Sequence, residues 1–347
     1  MSSDLDRGLD QGADDAHANT PVLRVVDLHT YLFTRWGTTR AVDGVSFDLQ
    51  RGETLGIVGE SGSGKSMLAL SLVRLTPEPA SKILRGQVLL DGQNLLDMSE
   101  KEMREVRGRD ISMILQDPHQ SLNPVFSVGN QLEETMRIHG GASNRAEARR
   151  GAVEALRQVH VPSPEQRMKS YPHEMSGGMK QRIVGAMAIA YRPKVLIADE
   201  PTTALDVTIQ KQYLKLLKEL QAETGVAILL ITHDFGVVAE SCDRVAVMYA
   251  GRLVEQGPVE SVFDNPRHPY TRALLSSRPR LDADLRRLPF IDGQPPELTD
   301  LPPGCRFAPR CGYALEACLE SYPGAVEISR AHLAWCWRSE EEPWANH

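Results

Sequence analysis

Eight consecutive residues, Gly59-Glu60-Ser61-Gly62-Ser63-Gly64-Lys65-Ser66, fit the pattern G-x-x-x-x-G-K-[ST]. In such a run successive backbone N–H groups point inward around a phosphate, and the glycines permit the close approach. Lys65 would then reach the β- and γ-phosphates of a nucleotide, and Ser66 would ligate Mg²⁺. Further along, the apolar run Val195-Leu196-Ile197-Ala198 ends in two acids, Asp199 and Glu200. Alone, this is an ordinary strand end with solvated carboxylates. Beside a phosphate loop, Asp199 can hold Mg²⁺ through water and Glu200 can polarise an attacking water. A third segment, Met175-Ser176-Gly177-Gly178-Met179-Lys180-Gln181, begins a helix with Ser176 as its cap. Gly177 and Gly178 leave backbone N–H groups open at the positive end of the helix dipole, a second candidate anion site on the chain.

The elements that must position these residues are legible from periodicity. Val22 to Leu49 alternates apolar and polar residues, as strands do, and Arg51-Gly52-Glu53 makes a turn. Leu55 to Val58 is a short buried-type strand, then comes the glycine loop, then a helix from Met67 to Val73. Strand, loop and helix stand in the order a phosphate site requires. Another strand-like run, Ile111 to Leu115, ends at Gln116-Asp117-Pro118, and residues 131–166 have the composition of surface helices. Val195 to Ala198 and Val226 to Ile231 are near-continuous apolar runs, as in parallel strands covered on both faces. After Phe263 prolines become frequent and strand periodicity fades, so a boundary is expected near residue 262.

At 347 residues two cores are expected. Hydrophobic residues make up 41% and charged residues 24%, an ordinary globular balance. Against 46 Asp+Glu stand 39 Lys+Arg, with no basic block interleaved with aromatics, which argues against a nucleic-acid partner. No apolar run approaches the roughly 20 residues that cross a bilayer. Residues 1–21 are polar and acidic, and are read as a disordered cytoplasmic lead-in.

The order of these motifs resembles the ABC ATPases. The Ser176-Gly177-Gly178 segment is similar to their LSGGQ signature, departing from it at Met175 and Met179. The rest of the family pattern is a Q-loop at Gln116, a D-loop at Ala204-Leu205-Asp206 and a switch histidine at His233. The resemblance implies an α/β fold over residues 22–262: a RecA-like core with an antiparallel β subdomain and a helical subdomain at about 117–190. A small cysteine-containing C-terminal domain would occupy 263–347. It also implies that His233 contacts the γ-phosphate, that Gln116 links Mg²⁺ and water to a membrane partner, and that Tyr31 or Phe33 stacks on adenine. Two ATP molecules would be sandwiched between two such subunits, each signature completing the other's site.

Ser121-Leu122-Asn123-Pro124-Val125-Phe126-Ser127-Val128-Gly129 and His268-Pro269-Tyr270-Thr271-Arg272-Ala273-Leu274-Leu275 resemble the peptide and nickel importer subfamily. That implies uptake of di- or oligopeptides, or alternatively of nickel complexes or another small solute. The implied partners are a homologous or identical second ATPase, two transmembrane permeases and an extracytoplasmic solute-binding protein, with this chain on the cytoplasmic face of the membrane. A soluble repair, chromosome or translation ABC protein would need long coiled coils or a second cassette, and a small-molecule kinase would leave Ser176-Gly177-Gly178 and His233 unexplained.

Cys305, Cys311, Cys318 and Cys336 crowd the C-terminal region, among turn-rich sequence without enough apolar residues for its own core. A metal staple is the expectation. The wide, irregular spacing favours a [4Fe–4S] cluster over zinc, whose sites show closer C-x₂₋₄-C pairs. Arg306 and Arg310 would offset the cluster's negative charge.

Overall fold

The computed structural model describes residues 20–117, 121–138, 142–203, 205–277 and 290–341. All but the end of the expected 1–21 lead-in falls outside these, as do Pro118 after the Q-loop glutamine and Ala204 of the D-loop.

The alternating N-terminal stretch forms β1 (Leu23–Thr34) and β2 (Gly37–Leu49), which pair antiparallel. Val45, Phe47 and Leu49 of β2 turn inward while Gly44 and Ser46 face out, the period-2 pattern of a sheet covered on one face. β3 (Thr54–Val58) is buried at every residue, as a central strand flanked on both sides must be. β4 (Ser81–Leu90) and β5 (Gln93–Asn94) complete the first sheet in the order β2-β1-β4-β5.

The second sheet also takes in β6 (Ile111–Ile114), β7 (Val195–Asp199), β8 (Ala227–Thr232), β9 (Arg244–Tyr249), β10 (Arg252–Pro258), β11 (Val326–Ser329) and β12 (His332–Ala334). Its order is β11-β12-β10-β9-β3-β8-β7-β6, with β9, β3, β8, β7 and β6 parallel to one another. β10 is antiparallel to β9 and to β12, so a strand from the C-terminal region extends the central sheet.

Helix α1 (Lys65–Leu72) follows β3 across the glycine loop and packs Leu68, Ala69 and Leu72 in one core with Val25, Phe47 and Leu229. The helical insertion comprises α2 (Val128–Ile138) and α3 (Arg145–Gln158), joined in one core by α4 (Gly177–Ile189) and α5 (Val207–Thr224) through Leu132, Leu156, Ile183 and Leu217. A third core gathers Val58, Val245 and Tyr249 with Tyr270, Cys305 and Phe307. Among the described residues the C-terminal region has no isolated core; it shares one with β3 and β9. Each fully buried Leu, Val or Phe contributes roughly 1.5–3 kcal/mol through apolar burial.

Candidate active site

The carboxyl ends of β3, β7 and β8 face the same cleft, where ligands of open parallel sheets bind. The Gly59–Ser66 loop closes tightly over α1. A Cβ at Gly59 would lie 2.1 Å from the Met248 carbonyl oxygen; one at Gly64, where φ is +106°, would lie 2.0 Å from that of Ala41. Only glycine fits either position.

Inside the loop the Lys65 ammonium donates to the carbonyls of Gly59 (2.7 Å) and Glu60 (2.9 Å) and to Ser63 Oγ (3.3 Å). Burial pushes its pKa down, with Glu200, Asp199 and Glu60 opposing the shift. Ser66 Oγ donates to Asp199 Oδ1 at 3.3 Å. Burial raises the Asp199 carboxyl, the Ser66 bond opposes it and Glu200 adds to it. Two hard oxygen donors in contact, beside a loop built for phosphate, fit a magnesium ion.

Glu200 sits one residue beyond β7 in the left-handed region, at φ +45°, a conformation unusual for a residue with a side chain. Its amide donates to Ile231 O at 2.9 Å, which ties the strained turn to β8. Its carboxylate accepts from Gln116 Nε2 (2.9 Å) and Thr203 Oγ1 (2.9 Å), and His233 Nδ1 lies 3.3 Å from it. Donation by His233 requires the tautomer protonated at Nδ1. Ser66, Leu70, Gln116, Asp199 and Thr203 line one open cleft of about 450 Å³, and Glu200 and His233 adjoin it through the contacts to Gln116 and Thr203. Thr203 was not anticipated; its signal was its position three residues after Glu200, within reach of one turn.

The Ser176 segment belongs to a different packing unit. Ser176 caps α4, its Oγ accepting from Met179 N at 3.4 Å, and Met175 is buried in the helical core. Asp206 caps α5 by accepting from Thr208 N and Ile209 N, both at 3.0 Å. Gly178 meets α5, where a Cβ would come within 2.8 Å of Ile209 Cγ2. Around Gly177 there is open space. Of the two adenine candidates, Tyr31 is engaged elsewhere, its hydroxyl donating to Asp43 Oδ1 at 2.5 Å, whereas Phe33 is 45% exposed.

A phosphate loop leading from β3 into α1, at the carboxyl edge of a parallel sheet with β7 and β8 beside it, defines a P-loop ATPase fold. Residues 42–203 match the ABC transporter family model, and residues 254–318 match the model of the oligopeptide/dipeptide transporter C-terminal region. The chain is 54% identical to the probable peptide ABC transporter ATP-binding protein y4tR of Sinorhizobium fredii, over 92% of this chain and 96% of that protein. It is 51% identical to the dipeptide transport ATP-binding protein DppD of Bacillus subtilis, over 92% and 95%. Among solved structures, the ATP-binding cassette MJ0796, seen as a post-hydrolysis dimer bound to ADP and Pi, superposes with a TM-score of 0.61 at 26% identity, covering 68% of this chain and 98% of that one. The chain belongs to the ATP-binding subunits of ABC transporters that carry the oligopeptide/dipeptide C-terminal region, and is an ATPase.

The expectation of a [4Fe–4S] cluster, with zinc as its alternative, is overturned. Cys305, Cys311, Cys318 and Cys336 are free thiols along one narrow crevice, but among the described residues no group of three or more His, Cys, Asp or Glu is set to hold a metal ion. The relatives are described simply as transport ATP-binding proteins. The physical error lay in the premise that this region needs a staple. Cys305 and Cys318 pack as small apolar side chains against Phe307 and the strands of the main sheet. Burial raises the Cys305 thiol to about 11 and that of Cys336 to about 12. Nor do Arg306 and Arg310 serve a cluster: Arg306 is paired with Asp43 and Arg310 with Glu60.

Proposed function

We propose that this chain hydrolyses ATP to energise the uptake of di- or oligopeptides across the cytoplasmic membrane. The peptide assignment rests on similarity to dipeptide and oligopeptide transport subunits along nearly the whole length of both chains. Among the described residues no helix is long and apolar enough to cross a membrane. We therefore assign two permease subunits as the chain's membrane partners, a solute-binding protein outside, and a second ATPase, identical or homologous. Its own station is the cytoplasmic face. We divide it into a lead at 1–21, a nucleotide-binding domain at 22–262 with its helical part at about 117–190, and a C-terminal domain at 263–347.

The observation that carries the chemistry is the Glu200 carboxylate, oriented by Gln116, Thr203 and His233 beside the Ser66–Asp199 pair. The loop from Gly59 to Ser66 binds the phosphates, Lys65 turning from the carbonyls of Gly59 and Glu60 to the β- and γ-oxygens. Ser66 and Asp199 would hold Mg²⁺, with Gln116 nearby, and the bound ion would supply charge neutralisation at the phosphate oxygens. Glu200 takes the proton of a water whose oxygen attacks the γ-phosphorus as the bond to the bridging oxygen of ADP breaks. His233 stabilises the charge that develops. Ser176, Gly177 and Gly178, with Asp206 close by on α5, serve the nucleotide bound by the partner ATPase. The test is reconstitution with its permease subunits: a di- or oligopeptide presented by the cognate binding protein should raise ATP turnover. Stimulation by a nickel complex and by no peptide would reject the peptide assignment and leave the ATPase standing.

A further inference from the structure

We propose that the Cys305–Cys311 segment braces the phosphate loop, with Arg310 and Tyr270 as positioning residues, so that nucleotide binding and the seating of the C-terminal region are thermodynamically linked. Glu60, the second residue of the loop, is held from the C-terminal side at two groups. The Arg310 guanidinium grips its carboxylate in a fork, Nη1 to Oε2 at 2.7 Å and Nη2 to Oε1 at 3.1 Å. Its backbone N–H donates to Tyr270 Oη at 2.9 Å. Its carbonyl meanwhile accepts from Lys65, the residue that must meet the phosphates.

Both anchors are rigid. The Arg310 side chain is only 4% exposed, and it also donates to Tyr249 Oη (3.2 Å) and Asp292 O (3.0 Å). The Tyr270 ring is fully buried against Tyr249 and Phe307, with centroids 4.5 and 5.4 Å away. A second path reaches the loop from the same segment. Arg306, buried and paired with Asp43, donates to Ala250 O in the turn between β9 and β10. The next residue, Gly251, donates its N–H to Ser63 O at 2.8 Å. Glu60 and Ser63 are thus both fixed, and the exposed Ser61 and Gly62 span the gap between them.

A forked, largely desolvated arginine–carboxylate pair is among the stronger polar contacts. Holding the loop in its phosphate-ready form before nucleotide arrives removes an ordering cost from binding. By reciprocity, bound nucleotide must then stabilise the brace. Deletion of such a pair should weaken MgATP binding about tenfold. Once the loop is saturated, its order has been restored, so in Arg310→Gln the apparent KM for ATP rises while kcat stays within about twofold.

The experiment uses the full chain and MgATP. Titration calorimetry is run on wild type, Arg310→Gln, Glu60→Gln and the double variant, with melting temperatures alongside. Each single change should raise the dissociation constant about tenfold, and the double variant should be no weaker than the worse single. Single variants that bind within twofold of wild type, whatever their melting temperature, would reduce the contact to a structural tie. Additive losses in the double would likewise overturn the linkage. If Arg310→Gln does not fold, hydrogen exchange on wild type decides: MgATP should slow amide exchange across 305–311, and unchanged exchange there overturns the brace. The inference rests on Gly59–Ser66 being the phosphate loop. A folded wild type that binds no MgATP would remove that assignment first, and the brace with it.

Discussion

Glu200 carries the sharpest residue-scale expectation, because its strained backbone and its three side-chain partners all serve one carboxylate. Glu200→Gln keeps the shape but cannot accept a proton. MgATP should bind as before while turnover in the assembled transporter falls by about 10²-fold or more; near-normal turnover would reject Glu200 as the base. Lys65→Ala should weaken binding itself. A second expectation concerns His268, whose Nδ1 accepts from Tyr270 N at 3.1 Å and whose pKa burial lowers from 6.5 to about 3. The unfolded chain takes up a proton there near pH 6.5 and the folded chain does not, so this contribution is complete above about 6.5. It is lost as pH falls from 6.5 toward 3, at up to about 1.4 kcal/mol per pH unit. Urea unfolding at pH 7.5 and pH 5 should show that loss in wild type and a smaller one in His268→Asn, which keeps a cap acceptor that does not titrate.

Among elements, α4 separates two roles that one helix start could combine. Ser176 caps the helix, and Gly177 leaves the surrounding space open for a ligand or partner from outside the chain. An arginine at 176 would fill that space. Ser176→Arg should therefore abolish turnover in the assembled dimer while this chain's own MgATP affinity, measured on the isolated subunit, changes less than about threefold; a large loss of its own affinity would refute the division. The acid–base pair between β10 and β12 acts at the same scale. Glu255 is fully buried and accepts from Arg267 N (2.7 Å), His268 N (2.9 Å) and His332 Nε2 (2.8 Å). It fastens α6 (Pro269–Ser276) and the C-terminal strand to the central sheet.

For the whole molecule, the cassette and the C-terminal region are one folding problem. Truncation after residue 262 would strip Tyr270 and Phe307 from Tyr249, remove β12 from β10 and take from Glu255 the three donors that hold it. The truncated chain should fail to give a cooperative melt, and a stable, nucleotide-binding 1–262 fragment would show that the shared core is dispensable. The isolated full chain should be a slow ATPase, since Ser176 to Gly178 lie in a packing unit apart from its own phosphate loop. Assembly should raise turnover by about 10²–10³ for each donor supplied by the partner. Full activity in a strictly monomeric preparation would refute that dependence.

What the sequence determined by itself is local: the Gly59–Ser66 loop between β3 and α1, the β7 strand ending at Asp199, and the helix cap at Ser176 each follow from residue types a few positions apart. Gln116, Glu200 and His233 were legible as separate motifs, yet only the parallel order β3-β8-β7-β6 brings Gln116 and His233 to the Glu200 carboxylate. Tertiary structure decided the fate of the C-terminal region. Poor in apolar residues, it read as a unit needing a metal; in three dimensions it borrows the core of β3 and β9. It also decided what Arg306 and Arg310 do, because their partners Asp43 and Glu60 lie about 250 residues earlier in the chain. Periodicity reports how a residue relates to its near neighbours; a pairing across such a separation depends on how the sheets stack.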